Sequence, residues 1–159
     1  MIVIKKERFG KLNRKDFLEI VNKTPLVAID LIIRNSNDEV LIGLRKNEPA
    51  RNTWYVPGGI IRKNEKLAEA FEQICLDEIY ISLSIDNAKL LGIFEHFYDL
   101  NFALEPGIST HYIVLAYEIT ISEIDIELPK DQHSHYKWLK THDLINEKDV
   151  HLNVKAYFQ

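Results

Sequence analysis

Apolar and polar positions fall in blocks along this chain, and each block predicts an element. Phe17, Leu18 and Val21 share one face of a helix over about residues 14–21, with Asn13 placed to cap it and Pro25 to stop it. Residues 26–34, LVAIDLIIR, are β-branched and nearly all apolar, the pattern of a strand buried on both faces. Asn35-Ser36-Asn37-Asp38 predicts a turn, and residues 40–45 return as the second arm of a hairpin. Residues 54–56 form a short strand that ends in Pro57-Gly58-Gly59, a glycine pair of the kind most often found in turns, and a second helix over about 65–79 follows, capped by Asn64. Further strands are predicted at 90–98, 112–121 and 136–139, then a small helix capped by Thr141 and another over 153–158. No repeat or linker divides the chain, so residues 1–159 read as one domain. Strands mixed with a few helices point to a layered α/β or α+β domain, with the strand order left open.

Composition narrows the function. A 159-residue chain that is 46% apolar can bury a sizeable core. A net charge of −4 gives no basic footprint and argues against nucleic acid as a partner. A polyanionic ligand would need a metal or local arginines to offset that charge. The single cysteine, Cys75, excludes an internal disulfide framework and fits a reducing compartment. The first ten residues lack the apolar region of a signal peptide, and no run approaches the roughly 18 residues of a membrane span. These features predict a soluble, cytoplasmic protein with no membrane partner.

The second helix carries the first chemical signal. Leu67, Ala70, Phe71 and Ile74 form its apolar stripe, and Glu78, about three turns beyond Leu67, falls on the same stripe. A carboxylate on the core side is costly unless a cation meets it. Glu78 also sits beside Asp77 in the last turn, where the helix dipole disfavours negative charge. The pair predicts either a bound cation or a frayed helix end with both acids in solvent. Pro57-Gly58-Gly59 precedes this helix, where backbone can approach a ligand and a carbonyl can face a metal. Asp30 interrupts an apolar strand, where an unpaired carboxylate would be expensive, so it is a functional candidate in its own right.

The spacing of Gly59, Glu65 and the acids at Asp77 and Glu78 resembles the Nudix box, G-x5-E-x7-R-E-U-x-E-E-x-G-U, where U is aliphatic. The box is degenerate here: Gln73, Ile74 and Tyr80 stand where the family has Arg, Glu and Gly. Segments 24–33, 42–59, 95–102, 109–115 and 128–139 resemble the GDP-mannose mannosyl hydrolase branch, which itself lacks most of the acidic box. The similarity runs over about residues 11–158 and leaves the first ten as an extra segment. It implies a Nudix-like α/β/α sandwich, with a mixed β-sheet between helices.

The resemblance also implies a reaction. In that branch water attacks the anomeric carbon of a GDP-hexose such as GDP-mannose, releasing GDP and the free sugar. Mg²⁺, with Mn²⁺ as a substitute, would be held by the Gly58 carbonyl, Glu78 and Gln132. His133 matches the general base, and an imidazole with a free pKa near 6.5 suits that task. Arg45 would hold the leaving diphosphate, as a guanidinium fork can. Asp30 matches a sugar-contacting acid; His96 and Tyr112 match positions that touch substrate or support the base. Leu12 and Phe17 match residues that pack on the guanine, partly across a homodimer interface. Ile60 and Gln73 replace two expected arginines, and Arg62 and Lys63 are the cations nearest in sequence to compensate. Attack at phosphorus of another nucleotide derivative, and a non-catalytic nucleotide-sugar-binding protein, are the competing readings.

Overall fold

The computed structural model describes residues 10–122 and 127–159; residues 1–9, and with them nearly all of the extra N-terminal segment, lie outside it. Helix α1 (Arg14–Lys23) is capped as expected, the Asn13 side chain accepting from the Asp16 N–H at 2.9 Å. Strand β1 (Leu26–Arg34) follows, then β2 (Glu39–Arg45), β3 (Trp54–Tyr55), β4 (Gly58–Ile60) and helix α2 (Leu67–Ile79). A short 3-10 turn leads to β5 (Lys89–Tyr98), β6 (Thr110–Thr120) and β7 (His133–Lys140). Helices α3 (Thr141–Asn146) and α4 (Leu152–Ala156) close the described chain.

The strands form one seven-stranded mixed sheet in the order β3-β2-β1-β6-β5, with β4 also pairing β1 and β7 also pairing β2. β1 lies parallel to β6 along its whole length, while β4, β5 and β7 pair antiparallel with their neighbours. The alternation along β1 divides two cores. Ile29, Leu31 and Ile33 face α2, packing with Ala70, Phe71, Ile74 and Cys75. Ile32 faces the opposite layer with Val56, Leu144, Val154 and Tyr157, the last three from the C-terminal part of the chain. The architecture is the α/β/α sandwich.

Four local expectations are corrected. α2 begins at Leu67, because Asn64 adopts a left-handed φ of 69° and the Glu65 carboxylate accepts the Arg62 N–H at 2.7 Å. Gly58-Gly59 is strand β4, paired along β1, and not a turn. β7 starts at His133, three residues earlier than the apolar pattern predicts, because its first residues pair with the end of β2. Thr141 is the first residue of α3 and not its cap, and its hydroxyl accepts from Arg34 Nη1 at 3.1 Å.

Candidate active site

β4 approaches β1 so closely that only glycine fits at position 58. A Cβ there would stand 2.5 Å from Asp30 Oδ1 and 2.6 Å from the Ile29 carbonyl oxygen. Asp30 and Gly58 are register partners, so the acid that interrupts the apolar strand sits beside the backbone that the glycines bring in. Above them opens a cleft of about 610 Å³. Phe17, Asp30, Arg45, Gly58, His96, Tyr112 and Gln132 all line it, from separate segments of the chain. Leu12 does not; it stands exposed just ahead of α1. His133 and Glu78 are also absent from the lining.

His133 is the main departure from expectation. It opens β7 opposite Arg45, and only 1% of it is exposed, although the residues just before it, Lys130-Asp131-Gln132, are charged or polar. Gly43 makes the room: a Cβ on it would meet the imidazole ring at 2.5 Å. The Glu78 carboxylate lies 3.9 Å from His133 Nδ1 and its side chain is 11% exposed, so the inward-pointing acid read from the helical wheel does face inward. That separation is too long for a hydrogen bond to keep a proton on the ring. Burial, reinforced by the Arg45 guanidinium, lowers the imidazole pKa to about 4, and Nε2 makes no hydrogen bond.

Arg45 reaches the cleft from the end of β2. Its Nη2 donates weakly to the Asn47 carbonyl at 3.5 Å, and its buried Nε is without a partner. Arg14, Lys46 and Arg51 also line the cleft, against Glu48 and Asp30 as its acids. The wall is therefore cationic in a chain whose net charge is −4. Ile60 lines the wall where an arginine was expected, while Gln73 faces its own helix and donates to Asp77 at 3.1 Å. Arg62 and Lys63 are not part of the wall.

The cleft floor is polar and buried. Desolvation raises the Asp30 carboxyl to about 7, opposed by a hydrogen bond from the Tyr157 hydroxyl and by Arg45. His96, 4% exposed, lies between the hydroxyls of Tyr55 (3.1 Å from Nδ1) and Tyr157 (3.3 Å from Nε2), and burial lowers its pKa to about 4. Tyr112 pairs with His96 across β5 and β6, and burial raises its phenol to about 12. At the other end Phe17 packs on Phe102 at 4.9 Å between centroids, with the Arg14 guanidinium 5.1 Å from the same ring. Arg14, Arg51, Tyr55, Tyr98, Phe102 and Tyr157 were not singled out from the sequence. Arg51 and Tyr55 lie within segment 42–59, and Tyr98 and Phe102 within segment 95–102, which carried the family resemblance.

The expected cation ligands are the Gly58 carbonyl, the Glu78 carboxylate and the Gln132 amide, whose Oε1 accepts from Asn47 Nδ2 at 2.9 Å. All are oxygen donors of the kind a hard divalent ion takes, so the chemistry of the set fits Mg²⁺. With one carboxylate among them they form a weakly charged set. Among the described residues, no group of three or more His, Cys, Asp or Glu side chains offers an alternative.

The NUDIX domain model matches residues 24–158, and the chain belongs to that family; it is a Nudix hydrolase by fold and class. A relative from Haloferax volcanii, the low-salt glycan biosynthesis protein Agl8, is 42% identical over 118 residues, 74% of this chain and 72% of its own. Among solved structures, the MutT protein from Methanosarcina mazei has a TM-score of 0.68 at 18% identity, covering 86% of this chain and 92% of its own. The NUDIX domain of Shewanella oneidensis NrtR, solved with ADP ribose, has a TM-score of 0.63 at 16% identity, covering 92% and 97%. These two likenesses speak for the fold alone. Among the described residues no helix is long and apolar enough to cross a membrane.

Proposed function

We propose that the protein hydrolyses a GDP-sugar, GDP-mannose or a related GDP-hexose, to GDP and the free sugar by water attack at the anomeric carbon. The observation that carries the reading is the division of one cleft into a cationic wall and a buried polar floor. Arg45, Lys46 and Arg51 suit a diphosphate, while Asp30, His96 and Tyr112 suit sugar hydroxyls. The aromatic end formed by Phe17 and Phe102 suits a nucleobase. The relative named for glycan biosynthesis supports a sugar-bearing substrate.

On this reading Arg14, Lys46 and Arg51 take over the charge that Ile60 and Gln73 do not provide. Mg²⁺, or Mn²⁺ in its place, would be held by the Gly58 carbonyl, Glu78 and Gln132, and would neutralise the departing diphosphate when bound. His133 is the proposed base, supported by an Nε2 that makes no hydrogen bond and by its pairing opposite Arg45 at the end of β2. A homodimer, with Leu12 meeting the base bound by the second copy, belongs to the same reading.

One observation favours a second reading. His133 is buried off the cleft wall, which suits a protein that binds a nucleotide sugar without turning it over. Incubation with GDP-mannose and Mg²⁺ separates the two. Release of GDP and mannose that chelator abolishes, and that His133→Gln lowers by at least about a hundredfold, supports hydrolysis. Tight binding without product supports the second reading.

A further inference from the structure

The polar floor is one continuous chain of hydrogen bonds, and an ionised Asp30 gives it one direction. Asn153 Nδ2, a donor only, gives to the Tyr98 hydroxyl at 3.0 Å. At the far end Asp30 Oδ2 accepts from the Tyr157 hydroxyl. Between them run Tyr98 to Tyr55 at 2.9 Å, Tyr55 to His96 Nδ1 at 3.1 Å, and His96 Nε2 to Tyr157 at 3.3 Å. With Asp30 ionised, Tyr157 donates its only proton to it, so the tyrosine oxygen accepts and His96 carries its proton on Nε2. Nδ1 is then bare and accepts from Tyr55, whose oxygen in turn accepts from Tyr98. Every link is consistent with one direction, from Asn153 to Asp30.

Four members of the chain line the cleft: Asp30, Tyr55, His96 and Tyr98. The two that do not, Asn153 and Tyr157, come from the C-terminal part of the sequence and hold the network near its two ends. We propose that Tyr157 is a positioning residue, which fixes the Nε2–H tautomer of His96 and the orientation of Asp30 and so presets the pattern of donors and acceptors facing the sugar. The assignment rests on reading the cleft as a nucleotide-sugar site. It goes beyond that reading in giving Tyr157, which does not line the cleft, control of sugar recognition. A buried network of this kind is rigid when every member is satisfied, and leaving one member unpaired is costly. Desolvation, which keeps His96 neutral, is consistent with a single tautomer.

Tyr157→Phe tests this, because the ring that packs edge-on against Phe94 at 4.8 Å is retained and only the hydroxyl is lost. Two readouts are taken on the full chain. The first is the ¹⁵N spectrum of the His96 ring without ligand, taken at about pH 8 so that Asp30 is ionised: the wild type is expected as the Nε2–H tautomer and the variant as a mixture. The second is the ratio of affinities for GDP-mannose and GDP, measured with metal chelated. It is expected to fall about tenfold in the variant, one hydrogen bond's worth, with GDP affinity unchanged. Tyr55→Phe removes the hydroxyl on the other side of the same ring and reads the same tautomer should the first variant not fold. An Nδ1–H wild type, or a variant with the tautomer and the affinity ratio both intact, overturns the proposal. A wild type that gains nothing from the sugar overturns the reading of the cleft, and the sugar role with it, while the tautomer result stands separately.

Discussion

Gly43 lies directly beneath the imidazole of His133: a Cβ built on the glycine would come within 2.5 Å of ring Cγ and 2.6 Å of Cδ2. The contact is against the rigid ring of a side chain that is 1% exposed, so it cannot be relieved by a flexible end swinging into solvent. Gly43→Ala is therefore expected to cost about 1–3 kcal/mol, as overpacking does, and to displace the proposed base. Thermal unfolding and turnover measured together check this. Unchanged stability with unchanged turnover would mean that the ring does not sit where the geometry puts it.

Tyr80 ends α2 in the left-handed region, at φ 59° and ψ 21°, with its N–H bonded to the Leu76 carbonyl at 3.2 Å. That conformation favours glycine, the residue the Nudix box has at this position, and holding a side chain in it costs about 1–2 kcal/mol. Tyr80→Gly is expected to raise stability by about 1 kcal/mol, partly offset by lost packing of the half-buried ring. A melting temperature about 2–4 °C higher is the corresponding readout at this chain length.

Asp30 and His96 give stability opposite dependences on pH. The Asp30 carboxyl, raised from 3.8 to about 7, is equally protonated in folded and unfolded chains at low pH and imposes no penalty there. As pH rises through that window the unfolded chain ionises first, so stability falls, and the full cost remains above about 7. Each pH unit between the unfolded and folded values is worth about 1.4 kcal/mol, so the cost is a few kcal/mol. Asp30→Asn, which still offers Tyr157 an acceptor, should raise the melting temperature at about pH 8 and change it little near pH 4. His96, lowered from 6.5 to about 4, stabilises above its unfolded pKa and loses that contribution as pH falls toward 4. The acid-side loss should therefore survive in the variant, and pH-resolved melting curves of both proteins read the two effects apart.

The cationic wall can be dissected by charge removal. Arg51 is exposed, and its pull on a diphosphate is screened by salt, so Arg51→Ala should weaken GDP binding by up to about fivefold at low ionic strength and less at high. Arg45, with its Nε buried and unpartnered, should matter more: Arg45→Ala is expected to cost about 1.5–3 kcal/mol in binding, the range of charge-assisted bonds. Titrations at two salt concentrations distinguish the two residues.

Much of the fold is written in local patterns. β1 was legible because nine residues in a row are almost wholly apolar, and Asp30 stood out as the exception within them. Glu78 was legible because helical periodicity alone places it on the stripe that packs inward. The elements that build the site were less so. β4 reads as a glycine turn until β1 lies beside it, and His133 reads as a loop residue until β2 pairs with it. Tyr157 meets Asp30 across 127 positions, and nothing local to either residue announces that contact. Arg14 and Arg51 are ordinary surface cations in sequence, and only the fold turns them toward the same cleft.

Cleavage of a GDP-sugar at the anomeric carbon is the central claim. Turnover of GDP-mannose with Mg²⁺ in ¹⁸O-labelled water, with mass analysis of both products, tests it most directly. The expected result is label in the released mannose and none in GDP. Label in a phosphate of the nucleotide product would contradict the claim and place the attack at phosphorus.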